Sequence, residues 1–245
     1  MMKPIILRPN AIPVYRFLSL ITRHLSDGDT LEGKRILDCG AGGPIPPLAV
    51  FAEQGMDTVG IDINAEALQK ARTFANSKDL PIKFLSADMR NLPFPDSSFD
   101  YVYEQYAMCH LAPHDVQVAV AEMRRVLRPG GMLLFGVISR DSWPKSSFGE
   151  EREPGWFVRG DKSRDAAHSM LSDANADALA AGMEPIHKQK IIRYTDAEQV
   201  TEEQWSDLYE EAPAPVTREK WAAAYGLRAE YFRYVHTFFI ARKPA

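Results

Sequence analysis

The chain has 245 residues, 45% of them hydrophobic and 25% charged, with a formal net charge of −4. This length carries one α/β domain with an elaboration and a sizeable core, and the ordinary composition excludes collagen-like, coiled-coil and wholly disordered chains. The mild acidity argues against a general electrostatic grip on nucleic acid or anionic membrane.

Val14, Phe17, Leu18 and Ile21 fall at i, i+3, i+4, i+7, which predicts an amphipathic helix in an N-terminal helical cap over residues 1–30. Residues 35–39 form a short apolar strand running into Gly40-Ala41-Gly42-Gly43, and a helix is expected from Pro47 to Gly55. Residues 58–62 are the next strand. A helical stripe of Ala67, Leu68, Ala71, Phe74 and Ala75 follows, with Asn64 placed to cap it. Strands are predicted at 82–85 and 101–103, a helix through Val116, Val120, Met123 and Leu127, and a fifth strand over 132–138 after the breaker Pro129-Gly130-Gly131. This alternation implies a mostly parallel sheet with helices on both faces, α/β and doubly wound in the Rossmann-like manner.

Beyond the 33–138 core the period loosens. Residues 139–165 read as a lid loop, 168–181 as a helix, 185–194 as a strand, 195–233 as a helical insertion and 235–241 as a last strand. Cys39 and Cys109 are too few for a disulfide framework and form no CxxC. They fit packed, reduced thiols in a cytoplasmic protein. No run of about 18 apolar residues offers a membrane span, and the N-terminal stretch lacks the apolar region and cleavage site of a signal peptide.

The sharpest feature is Asp38-Cys39-Gly40-Ala41-Gly42-Gly43 between a strand and a helix. Glycines there let the backbone turn tightly and approach a ligand. Asp62 ends the next strand, where a carboxylate can accept from both hydroxyls of an adenosine ribose. A bare tight turn is the plain alternative. For a nicotinamide dinucleotide the G-x-G-x-x-G fingerprint needs glycine at 45, where Ile45 stands. An acid directly on the turn, Asp38, would repel a pyrophosphate and suits a cationic group better.

These residues resemble class I S-adenosylmethionine-dependent methyltransferases, in the branch of the ubiquinone-biosynthesis enzymes and many small-molecule enzymes. The matching stretches are 35–42, 59–64, Ala87-Asp88-Met89 with Leu92-Pro93-Phe94, 98–102 and 127–133, in family order. The resemblance implies a seven-stranded sheet with an antiparallel last strand. It also implies S-adenosylmethionine as cofactor, S-adenosylhomocysteine as product and no metal. By this likeness Asp38, Gly40, Ala41 and Gly42 hold the methionine end, Asp62 the ribose and Ile63 the adenine face. Asp88 and Met89 take the adenine edge, and Glu104 and Gln105 wall the sulfonium side. Pro44 stands where the family often has a third glycine and removes an amide donor.

Methyl transfer from a cationic sulfur needs positioning and exclusion of water more than a base. Tyr106 could offer a π-face to the sulfonium, and His110 could orient or deprotonate an acceptor. For each the plain alternative is packing, and His114 reads as a surface residue of the following helix. All four tryptophans follow the motifs. Trp143, Trp156, Phe157, Trp205 and Tyr209 are therefore expected to line the acceptor pocket or to pack the insertion. The acidic runs at 150–153 and 202–203 read as solvated faces. The expected partner is a small-molecule acceptor, with no nucleic acid and no membrane, for a monomer or homodimer. Competing readings are an NAD-dependent oxidoreductase, a non-catalytic S-adenosylmethionine-binding protein, and an RNA or protein methyltransferase.

Overall fold

Side-chain parity along the central strands divides the interior into two layers. A computed structural model describes residues 11–142, 148–158, 167–196 and 231–245. Its strands are β1 (Arg35–Cys39), β2 (Asp57–Asp62), β3 (Lys83–Ser86), β4 (Phe99–Tyr103), β5 (Leu127–Ser139), β6 (Glu150–Glu153), β7 (Trp156–Val158), β8 (Ala167–Leu171), β9 (Glu184–Asp196) and β10 (Tyr231–Arg242). The helices are α1 (Ile12–Arg23), α2 (Ala49–Ala52), α3 (Ala65–Ser77), α4 (Pro113–Val126) and α5 (Asp173–Leu179). Ile36, Tyr101, Tyr103, Leu134 and Phe238 point to the side of α1 and α2. Their neighbours Leu37, Val102, Leu133, Phe135 and Phe239 point to the side of α4 and α5. This is the period-two alternation of strands buried on both faces.

The parallel strands run in the order β3-β2-β1-β4-β5. β10 joins β5 antiparallel and β9 joins β10 antiparallel, which gives the expected reversed last strand, while β8, β7 and β6 extend the sheet to ten strands rather than the expected seven. α1 lays Val14, Phe17 and Ile21 into the core. Each such side chain contributes about 1.5–3 kcal/mol on burial. Phe17 meets Phe51, Tyr101 and Tyr103 at ring distances of 6.3–6.4 Å. The N-terminal helix is thus a packed layer on the sheet.

Two expectations beyond the core need correction. The stretch taken as a lid loop contains the antiparallel hairpin β6–β7, turning at Pro154-Gly155. All four residues of β6 are exposed, so the strand leaves no alternating pattern to read. The stretch taken as a helix from 168 begins as strand β8, which pairs with β7 and with the end of β5. Only after Ser172 does α5 start, with the Ser172 hydroxyl accepting from Asn175 N at 3.2 Å. Here strand pairing outweighed the helical stripe, and the capping serine was the signal passed over. The helix expected from Pro47 is the single turn α2, and the fifth strand starts at Leu127. The helical insertion lies almost wholly outside the described residues.

Candidate functional site

The strand order reverses between β1 and β4, and an open α/β sheet leaves a crevice at the carboxyl ends of the strands there. A cleft of about 390 Å³ occupies this place. Its walls bring together Gly40, Asp62, Ile63, Asp88, Met89 and His110, which lie up to 70 positions apart in the chain. Ile63 is 71% exposed, an apolar side chain left open at the cleft wall.

The glycine loop is held from within. Gly40 N and Ala41 N both donate to Ile61 O at 2.8 Å, and Gly43 N to Ala67 O at 3.0 Å. Gly42 N donates to Asp62 Oδ2 at 3.0 Å. Pro44 has no N–H. Residues 40–44 therefore offer carbonyl acceptors and no spare amide donor, the reverse of what a pyrophosphate needs. A Cβ on Gly42 would run into Asp62 Oδ2, and one on Gly40 into Ala107 Cβ. Gly40 also has φ +122°, in the region that favours glycine. The bare backbone is what lets the loop, Asp62 and the chain after β4 close together.

Asp62 accepts at both oxygens, from Gly42 N and, at 2.8 Å, from Asn64 N. One lone pair per oxygen remains, so the oriented carboxylate can still take two hydroxyl donors. Asn64 in turn caps α3 by accepting from Ala67 N at 3.0 Å. Asp88 is differently placed. Arg90 gives it four contacts, from its backbone N at 2.9 Å, from Nε at 3.1 and 3.0 Å, and from Nη2 at 2.7 Å. Arg90 also reaches Asp115 at 2.7 Å. The Arg90 guanidinium holds the Asp88 carboxyl below its ordinary range, with partial burial opposing.

Behind the cleft lie two buried carboxyls. Asp38 is 2% exposed and takes a 2.6 Å hydrogen bond from the Tyr103 hydroxyl. Burial pushes its pKa up to about 8, against the lowering effect of that bond. Glu104 is fully buried and accepts from Ala107 N at 3.2 Å, Met108 N at 3.0 Å and Gly136 N at 2.7 Å. Burial raises it to about 7, the three amides partly offsetting. Glu104 thus ties the turn after β4 to β5. Gln105 is half-buried beside it, and Ala41 is buried under the loop.

Of the candidates for chemistry, His110 lines the cleft. Its Nδ1 lies 3.1 Å from Ala167 O. A carbonyl only accepts, so Nδ1 carries a proton, and the tautomer this selects has its lone pair on Nε2. Tyr106 has φ +60° and packs its ring edge-on against His236 at 4.7 Å and Phe238 at 5.5 Å. His114 is exposed in the first turn of α4. Phe157 is buried in a satellite core with Cys109, Phe148 and Met170. Trp156 is half-buried on β7. Trp143, Trp205 and Tyr209 lie outside the described residues. Sequence reasoning passed over Arg90, Ala107 and Leu111 in the cleft wall. Arg90 carried a readable signal, an arginine two positions from a candidate acid. Among the described residues no group of three or more His, Cys, Asp or Glu could hold a metal.

Residues 37–135 match the family described as a methyltransferase domain. A sterol 24-C-methyltransferase of Pneumocystis carinii is 32% identical over 168 residues, covering 65% of this chain and 42% of that protein. A demethylmenaquinone methyltransferase of Thermus thermophilus is 38% identical over 117 residues, covering 47% of this chain and 51% of that one. The matched segments thus span about half or less of these relatives. In fold, the chain superposes on a SAM-dependent methyltransferase of Methanosarcina mazei with a TM-score of 0.60 at 21% identity, over 98% of this chain and 99% of that one.

Proposed function

We propose that this chain, with its class I methyltransferase domain, is an S-adenosylmethionine-dependent methyltransferase acting on a small molecule. The observation that carries the reading is the spent glycine loop. Its amides all serve the protein, leaving carbonyls and the carboxylates of Asp62 and Asp88 around one cleft. That set accepts from an ammonium, ribose hydroxyls and an exocyclic amine, and it does not serve the pyrophosphate of a nicotinamide dinucleotide.

When bound, the cofactor supplies a methyl group on a cationic sulfur, already joined to an excellent leaving group. The chain's residues have the remaining work. Asp62 orients the ribose and Ile63 covers the base. Asp38 and Glu104 place buried negative charge, when ionised, behind the methionine end. His110 presents an Nε2 lone pair that can hold or take the acceptor's proton. A small-molecule acceptor is supported by relatives that carry sterol and demethylmenaquinone methyltransferase names, and the net charge of −4 weighs against nucleic acid. We place the enzyme in the cytoplasm as a monomer or homodimer, without membrane or metal.

The test is calorimetry followed by turnover. The protein should bind S-adenosylhomocysteine and not NAD, and should release S-adenosylhomocysteine when given S-adenosylmethionine and a small-molecule extract. Tight NAD binding without S-adenosylhomocysteine binding would overturn the proposal.

A further inference from the structure

A second cavity, of about 420 Å³, lies between α4, α5, β8 and the β6–β7 turn. It shares no lining residue with the cleft at the glycine loop. Its apolar wall is Val120, Met170, Leu171 and Leu179, all buried. The described lining also holds two cations, Arg124 and Arg140, and the neutral polar Gln117 and Asn175, with no Asp or Glu among the described residues.

The two arginines are not equivalent. Arg140 is paired with Glu151 at 2.6 Å. The Arg124 side chain is half-buried, and among the described residues no ion pair or side-chain hydrogen bond engages it. The acids of the neighbouring helix are taken elsewhere: Asp173 pairs with Lys190 at 2.8 Å and Asp177 with Lys188 at 2.5 Å. Nearby Lys243 adds positive charge while its Nζ is spent on Arg124 O and Leu127 O.

A guanidinium held at an apolar wall, with no counter-ion among the described residues, is poised for an anion. Partial removal from water strengthens a charge-assisted bond, and the fork geometry favours a carboxylate or phosphate. A volume of this size holds a small organic molecule, since ligand pockets run from about 300 to 1,000 Å³. The geometry points to a second binding site, separate from the glycine-loop cleft, for a small amphipathic anion. Its carboxylate or phosphate pairs with Arg124 and its apolar body lies on Val120, Met170, Leu171 and Leu179.

The test is calorimetry on the full chain with decanoate, decyl phosphate, decanol and decylamine as probes. Decanoate or decyl phosphate should bind, and whichever is tighter names the head group the site prefers. Decanol should bind weakly and decylamine not at all. Arg124→Met keeps the apolar stem and should weaken anion binding about tenfold or more, while Arg124→Lys should restore part of it. Ala178→Trp, at an exposed position of α5 lining the cavity, should block binding with Arg124 intact. Thermal melting of each variant checks the fold. The inference is overturned if neither anion binds the wild type, if Arg124→Met binds them equally well, or if decylamine binds as tightly as decanoate.

Discussion

Tyr103 Oη donates to Asp38 Oδ2 at 2.6 Å inside the sheet, across 65 positions of sequence. Adjacent parallel strands β1 and β4 place Asp38 and Tyr103 in register, and Phe51 packs on the Tyr103 ring at 5.4 Å. The carboxyl therefore sits in a dry pocket with one neutral donor, and its pKa rises to about 8.

This has two consequences for pH. If the ionised form supports a bound ammonium, affinity for S-adenosylhomocysteine should rise from pH 6 to pH 8 and flatten in Asp38→Asn. Stability runs the other way. The folded pKa, about 8, lies above the reference value of 3.8, so the folded chain holds the extra proton between them. The stabilising contribution is complete below the unfolded pKa and is lost as pH rises through the folded one, by up to about 1.4 kcal/mol per unit. Urea midpoints should fall between pH 5 and 8 in the wild type and fall less in Asp38→Asn. Equal slopes would remove Asp38 from the account.

Glu104 is the more structural of the two buried acids. Its two oxygens satisfy three amides, so an isosteric amide must turn an N–H donor toward at least one of them. Glu104→Gln should destabilise by about 1–3 kcal/mol, the cost of a buried donor left unmade. Chemical denaturation at pH 8, where the wild-type carboxyl is ionised, is the appropriate measurement. A loss below a few tenths would mean the turn after β4 holds itself.

Asp62 joins loop geometry to ligand recognition. Asp62→Ala strands the amides of Gly42 and Asn64, so some loss of stability is expected as well as binding more than about tenfold weaker. A ligand with and without its ribose 2′-hydroxyl separates the two effects. 5′-Methylthioadenosine should outbind its 2′-deoxy analogue in the wild type and lose that advantage in the variant, a double-mutant cycle across the interface. An advantage that survives Asp62→Ala would mean another group holds the ribose.

What the sequence discloses follows from where its signals sit. Gly40, Asp62 and Asp88 stand at the ends of consecutive parallel strands, so reading the strands already aligns them at one edge. Nothing local in Asp38 tells that it faces Tyr103 within the protein, because that depends on strand order and register. Phe157 looked like an acceptor-pocket residue because its surroundings lack a period. Pairing of β7 with β8 turns it into the satellite core instead. Arg90 shows the same limit from the other side: its charge is legible, while its double grip on Asp88 and Asp115 needs α4 in place.

That grip bears on how the cleft takes a nucleobase. Three Arg90 donors make four contacts with the Asp88 carboxylate, which has about four lone-pair positions. An adenine amino group must therefore displace or share one of them. The ion pair is half-exposed, with side chains 39% and 33% accessible, so shifting it costs about 0.2–1 kcal/mol. Arg90→Met keeps the backbone N–H and removes the competing guanidinium. It should tighten S-adenosylhomocysteine binding by up to about fivefold, as read by calorimetry. The gain should vanish when Asp88→Asn is added, and it should be absent for an analogue with a 6-oxo group in place of the amine. Weaker binding in Arg90→Met would instead make Arg90 the support that holds Asp88 toward the base.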